Sequence, residues 1–160
     1  MNVEICQTDL FNAELIALIS QLDAYQEVLY PAEGNHAEPI ESMRLIKNFA
    51  YVAKLEGQAV GCAILFLPDN SYPEIKRVFI VPEYRGFGVA SLLVTTIINK
   101  SNTLSLNKIY LETGIYQPRA VKLYQRLGFE LTSEFGGYQY DPLSVYMVRF
   151  LAMSNKMIEF

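Results

Sequence analysis

One segment constrains the fold of this chain more than any other. The apolar run Val78-Phe79-Ile80-Val81 ends at Pro82 and gives way to Arg85-Gly86-Phe87-Gly88-Val89-Ala90. Leu92, Leu93, Ile97 and Ile98 then recur at helical spacing. The segment reads as a buried strand, a short turn, a glycine-rich loop and the first turns of a helix. A helix start presents unpaired backbone N–H groups at the positive end of the helix dipole. Glycines at that point let a phosphate approach the backbone closely. The segment is suited to holding a diphosphate.

The surrounding pattern supplies a frame for this unit. Val3–Cys6 alternates and predicts a first strand. Asp9 is placed to cap a helix carrying Leu15, Ile16, Leu18, Ile19, Leu22 and Tyr25 to about Leu29. A break at Tyr30–His36 precedes a short helix near Pro39–Ile46. Ala50–Leu55 and Ala59–Phe66 flank Glu56-Gly57-Gln58 and predict a hairpin. Strands are expected at Glu74–Val81, Lys108–Thr113, Phe129–Phe135 and Ser144–Leu151. Pro118 opens a helix that Gly128 closes, matching the first-turn preference of proline and the C-terminal preference of glycine. The order β-α-α-β-β-β-α-β-α-β-β predicts three consecutive antiparallel strands, then a crossover that sets the Glu74 and Lys108 strands parallel. Residues 1–160 show no repeat or linker and read as a single domain.

Composition narrows the function classes. Of 160 residues, 51% are hydrophobic and 19% charged, a globular balance. A net charge of −4 argues against non-specific nucleic-acid binding. Cys6 and Cys62 are the only cysteines and lie far apart, so neither a metal site nor a disulfide framework is expected. The first residues lack the pattern of a signal peptide, and no apolar run approaches the roughly 20 residues of a membrane helix. A cytoplasmic protein with no membrane partner is the expectation.

Two familiar diphosphate loops do not fit. A P-loop requires Gly-Lys-Ser/Thr, whereas Gly88 is followed by Val89 and Ala90. A dinucleotide fingerprint follows the first strand of its fold, whereas several strands precede this loop. The pattern Arg85-x-x-Gly88-x-Ala90 after a strand ending in Val-Pro instead resembles the acetyl-CoA loop of the GNAT N-acetyltransferase superfamily. A second segment, Gln117-Pro118-Arg119-Ala120-Val121-Lys122-Leu123-Tyr124-Gln125-Arg126-Leu127-Gly128-Phe129, resembles the family's Asn-x-x-Ala-x-x-Leu-Tyr-x-x-x-Gly-Phe motif. Gln117 stands where many members carry Asn. The likeness covers roughly Ala50–Leu151 and points to small bacterial members whose acceptors are mostly unassigned.

The resemblance implies an α+β fold in three α/β/α layers. A mixed, mostly antiparallel sheet of six to seven strands has a parallel central pair splayed by a bulge, with helices on both faces. It implies acetyl-CoA as co-substrate, no metal, and acetyl transfer to a primary amine of a small molecule or peptide by direct attack in a ternary complex. A non-catalytic acyl-CoA sensor or partner-binding protein is the alternative. Dimers are common in the family.

Cofactor contacts are implied at Val78, Phe79, Ile80 and Val81, whose backbone would pair with the pantetheine arm. The others are Arg85, Gly86, Phe87, Gly88, Val89 and Ala90 for the diphosphate, with Gln117, Ala120 and Tyr124. Tyr124 is the candidate acid for the leaving thiolate, since a phenol titrates near ~10 and is protonated at neutral pH. Glu74, at the start of the central strand, is the candidate base, with Glu112 a second choice. The N–H of Val78 or Phe79 is the candidate oxyanion donor. Acceptor contacts are expected from two loops rich in polar groups, Tyr30–His36 and Tyr138–Pro142, through Tyr30, Glu33, Asn35, His36, Tyr140 and Asp141. Glu33 and Asp141 would favour a cationic acceptor.

Overall fold

The structure, a computed structural model, describes residues 2–31, 38–69 and 72–152. Its elements run β1 (Val3–Thr8), α1 (Ala13–Leu29), α2 (Ile40–Met43), β2 (Asn48–Leu55), β3 (Gln58–Phe66) and β4 (Glu74–Ile80). A 3₁₀ turn at Pro82–Tyr84 leads to α3 (Val89–Thr103), β5 (Lys108–Gly114), α4 (Pro118–Arg126), β6 (Glu130–Thr132) and β7 (Ser144–Phe150). The strands form one sheet of seven, ordered β1-β2-β3-β4-β5-β7-β6. Only β4 and β5 are parallel; every other neighbouring pair is antiparallel.

Local chemistry accounts for the boundaries. The β2–β3 hairpin turns on Glu56 and Gly57, both at positive φ (50° and 81°), as a two-residue turn of this hand requires. The cap of α1 differs from expectation. Asn12 accepts the Leu15 N–H at 3.0 Å and is the cap. Asp9 instead folds back on the Phe11 N–H at 2.9 Å, making the turn that delivers Asn12. Such a cap contributes about 1 kcal/mol. The strand expected over Phe129–Phe135 is limited to Glu130–Thr132, because Phe135 turns inward to an aromatic cluster with Tyr110, Tyr138 and Tyr146.

The two faces of the sheet carry separate cores. Leu15, Leu18, Ile19 and Leu22 of α1 and Met43 of α2 pack on Ala50, Val52, Cys62, Ile64, Phe66 and Phe79. On the opposite face, Leu93, Val94, Ile97 and Ile98 of α3, with Tyr124 of α4, cover Tyr51, Ala53, Ala63, Leu65, Ile75, Ile109 and Leu111. The half-exposed Leu92 stays outside this core.

The centre of the sheet is irregular. Parallel pairing of β4 with β5 extends only over Glu74↔Tyr110 and Ile75↔Leu111. On its other edge β4 pairs with β3 at Ile64↔Lys76 and then at Cys62↔Phe79, so β4 holds one extra residue between these pairs. That surplus is a bulge at Arg77, whose φ is +57°. The bulge shifts side-chain parity. Lys76 and Arg77 both contact groups on the α1 face, Lys76 lying near Phe66 and Arg77 near Asp23. Beyond it, Phe79 packs with the α1 core and Ile80 with the α3 core. A non-glycine residue in this backbone region costs on the order of 1 kcal/mol or more. Tertiary bonds hold it there. The Arg77 guanidinium donates to the Glu38 carbonyl and sits 3.4 Å from Asp23, while the Cys62 thiol donates to the Arg77 carbonyl at 3.4 Å.

Candidate active site

Where β4 and β5 separate, a cavity of about 850 Å³ opens between them. Its wall draws on α1, β4, the glycine loop, β5 and α4, with Tyr138 and Leu143 from the β6–β7 connection. Beyond Ile75, the edge of β4 facing β5 has no ladder partner. The backbone groups on that edge, apart from the Ile80 carbonyl that accepts Arg85 Nε, are open to an extended, amide-bearing ligand.

The glycine loop forms one part of this wall. Gly86 and Gly88 lie at φ +88° and +82°, and a Cβ on either would meet nothing within 4 Å. Their requirement is conformational, and the space above them is open. Gly88 is the N-terminal cap of α3, with no side chain to satisfy the orphan donors. Among the described residues, the N–H groups from Gly86 to Ala90 donate to no acceptor. Arg85 is held in place by its Nε bond to the Ile80 carbonyl at 3.0 Å and by its position over the Phe79 and Tyr25 rings. Arg119, Lys122 and Arg126 of α4 add three cations to the same wall. Their spacing of three and four residues sets them on one helix face. Clustered donors, left-handed glycines and cations suit a polyphosphate.

Of the residues expected to touch the cofactor, Val78, Phe79, Ile80, Arg85, Gly86, Gly88, Val89, Ala90, Gln117, Ala120 and Tyr124 line the cavity. Val81 and Phe87 do not; the Val81 N–H donates to the Val60 carbonyl, and Phe87 is exposed. Gln117 has a definite task. Its Oε1 receives bonds from the Gly114 N–H (3.3 Å), the Tyr30 hydroxyl (3.3 Å) and the Thr113 hydroxyl (3.5 Å). The longer amide thus ties α1 to the β5–α4 corner.

Tyr124 is 6% exposed, and burial pushes its phenol above the ordinary value. It remains a proton donor throughout the physiological range. Glu74 is 7% exposed at the point where β4 and β5 still pair. Its Oε2 accepts the Tyr138 hydroxyl at 2.7 Å and lies 3.4 Å from Lys76 Nζ. Burial raises its carboxyl above the usual range, against the pull of Lys76 and Tyr138. Glu112 also lines the cavity and accepts the Ser144 hydroxyl at 3.0 Å.

The expected acceptor residues are not brought together. Tyr30 lines the cavity, with its hydroxyl engaged by Gln117 and by the Tyr116 N–H at 3.3 Å. Tyr140 is 74% exposed and off the wall. Asp141 accepts the Leu143 N–H at 2.9 Å in a local turn and is also off the wall. Glu33, Asn35 and His36 lie outside the described residues. From the β6–β7 connection, Tyr138 and Leu143 line the cavity instead. Lys76 and the α4 cations were not singled out from the sequence, and Tyr138 entered only as the first residue of the second acceptor loop. Only the α4 cations carried a usable signal, their helical spacing beside the second motif.

A sheet splayed at its parallel pair, with a glycine loop opening the next helix, defines a class that comparison with known proteins bears out. The profile described as "Acetyltransferase (GNAT) family" matches residues 17–129. The IAA acetyltransferase of Azospirillum brasilense is 35% identical over 147 residues, covering 91% of this chain and 96% of that protein. A crystal structure from Klebsiella pneumoniae subsp. pneumoniae, assigned as an acyl-CoA N-acyltransferase, superposes with a TM-score of 0.78 at 34% identity. That superposition covers 94% of this chain and 98% of the other. A GNAT acetyltransferase from Elizabethkingia anophelis, solved with acetyl-CoA bound, shares the fold at TM-score 0.70 and 18% identity, over 94% and 99% of the two chains. The chain belongs to the GNAT acetyltransferase family and is an acyltransferase by that membership.

Proposed function

We propose that the protein transfers an acetyl group from acetyl-CoA to a primary amine of a small molecule or peptide, by direct attack in a ternary complex. The observation that carries this reading is the polarity of a single cavity. Arg85 and the α4 cations Arg119, Lys122 and Arg126 accompany the orphan N–H groups of the glycine loop, while the carboxylates Glu74 and Glu112 lie on β4 and β5. Lys76 and Arg77 also reach the cavity, but each lies beside a carboxylate, Glu74 and Asp23 respectively. Phosphates are favoured on one wall and an ammonium on the other.

The thioester supplies an activated acyl group. The chain supplies the rest. The free edge of β4 positions the arm, and of the two candidate oxyanion donors, the Val78 and Phe79 N–H groups, Val78 is favoured because the Phe79 N–H is turned to the Cys62 sulfur on β3. Glu74 takes a proton from the ammonium of the acceptor, directly or through water, and so frees the lone pair that attacks. A free alkyl amine has a pKa of about 10, so this step is needed near neutral pH. Tyr124 gives its proton to the departing thiolate. An acyl-cysteine route is disfavoured by Cys62. Its thiol is fully buried, is pushed up to about 12 by burial and is already hydrogen-bonded to the Arg77 carbonyl.

Calorimetric titration with acetyl-CoA tests the cofactor half of the reading. Saturable binding is expected, weakened by Arg119→Ala and Lys122→Ala and with a lower salt sensitivity in those variants. Absence of binding, or affinity untouched by both substitutions, contradicts it.

A further inference from the structure

The immediate surroundings of Glu74 are more elaborate than a strand-end carboxylate needs. The side chain of Lys76 is only 8% exposed, which is rare for lysine. It shares the α1 face of β4 with Glu74, two residues away. Its Nζ lies 3.4 Å from Glu74 Oε2 and donates to the Tyr138 hydroxyl at 3.2 Å, beside the Phe66 and Tyr138 rings. Tyr138 in turn donates to Glu74 Oε2 at 2.7 Å. The three polar atoms form a closed triangle inside the protein, contributed by β4 and by a loop 64 residues away. Both donors converge on Oε2. Among the described residues, Oε1 accepts no hydrogen bond.

We propose that Lys76 and Tyr138 are positioning residues for Glu74, holding Oε2 and keeping the carboxylate charged so that Oε1 is left as the proton-accepting atom. The inference deepens the function proposed above and rests on Glu74 being its base. A buried carboxylate without a partner would neutralise itself by binding a proton at neutral pH, and would then be useless as a base. Lys76 supplies the opposing charge. Tyr138 supplies a short neutral donor whose own proton stays in place, because burial and Glu74 push its phenol well above its ordinary value. The proton taken up during turnover passes from the acceptor nitrogen to Oε1 and leaves both donors bonded to Oε2. The other charged groups that bear on the triangle are Glu38, which raises the Glu74 carboxyl, and Glu112, which acts on Tyr138. Both are anionic and oppose Lys76. The triangle also anchors the β6–β7 connection to β4, so the loop that borders the acceptor side is tied to the base itself.

The test is a carbon-13 titration of the Glu74 side-chain carboxyl in the full-length protein, which needs no acceptor. Lys76→Met should raise the titration midpoint by about one unit or more, the usual effect of removing an opposite charge at this distance. Tyr138→Phe should move it in the same direction and guards against a Lys76 variant that does not fold. An unmoved midpoint in the folded variants overturns the proposal. Glu74→Gln separates the two layers of the argument. If amine acetylation in that variant keeps its full rate, Glu74 is not the base; a midpoint that still moves in the Lys76 and Tyr138 variants then leaves the holding of the carboxylate intact.

Discussion

Tyr124 and Glu74 are both almost fully buried, and burial acts on them in the same sense. Each is pushed towards its protonated form, but the consequences for the proposed roles differ. For Tyr124 the effect is protective: the acid keeps its proton. Tyr124→Phe removes that proton and little volume. Turnover should fall about 100-fold, with acetyl-CoA affinity nearly unchanged by calorimetry. For Glu74 burial is a cost that Lys76 and Tyr138 offset. Glu74→Gln should lower kcat/KM most at low pH, where the amine is charged, and the deficit should close as pH rises towards the amine's own pKa. A constant deficit across the pH profile would remove Glu74 from the proton path. At this scale the sequence was partly legible. Tyr124 sits inside a motif, and Glu74 opens a strand. Lys76 carried no signal, because a strand pattern does not say that a bulge follows it or that a distant tyrosine meets it.

The elements place these residues through two irregularities. The first is the Arg77 bulge, which ends the agreement between strand alternation and sheet face. The run Glu-Ile-Lys-Arg-Val-Phe-Ile alternates until Lys76-Arg77 and then shifts phase. The parallel pair was legible from the order of the elements and its splaying from the resemblance, but which side chains face the cavity was not. The second is the β5–α4 corner. A Cβ on Gly114 would lie 1.6 Å from the Tyr30 hydroxyl and 2.1 Å from its Cζ. Gly114→Ala should thus expel Tyr30 from its bonds with Gln117 and Tyr116, lower the melting temperature and weaken cofactor binding. Tyr30→Phe in that background should not restore either, since the ring carbon still collides. Restoration would show that the corner relaxes by another route. The expectation that Tyr30 contacts the acceptor came from its neighbourhood in sequence; its structural bonds run to Gln117, 87 positions away, a relation no local pattern reveals.

Across the whole molecule, order and direction of elements were readable because turns and caps announce themselves. Pro118, Gly128 and the Glu56-Gly57 turn set boundaries that the structure repeats within a residue or two. Convergence was harder to read, because the cavity collects side chains from α1 to the β6–β7 connection. Burying carboxylates in this way has a consequence for stability. Glu74 and Asp23 are both held above their ordinary range, mainly by burial, with Lys76 and Tyr138 opposing for Glu74 and Arg77 opposing for Asp23. The folded chain therefore binds these two protons more tightly than the unfolded chain. That stabilising preference is complete below the unfolded carboxyl values of about 4 and is lost as pH rises through the folded values. The melting temperature of the wild type relative to Glu74→Gln should accordingly fall as pH is raised through the weakly acidic range, then level off. A difference that stays flat or rises over that range contradicts the burial account.

The central claim is that one cavity brings an acyl-CoA and an amine together for direct transfer. The most direct measurement is release of free CoA thiol from acetyl-CoA across a panel of primary amines, including polyamines, amino-acid amides and peptide N-termini. The account predicts thiol release that depends on the amine, equals the amount of amide formed and collapses in Tyr124→Phe. Saturable binding of acetyl-CoA without thiol release for any amine, or release that does not need the amine, would contradict it.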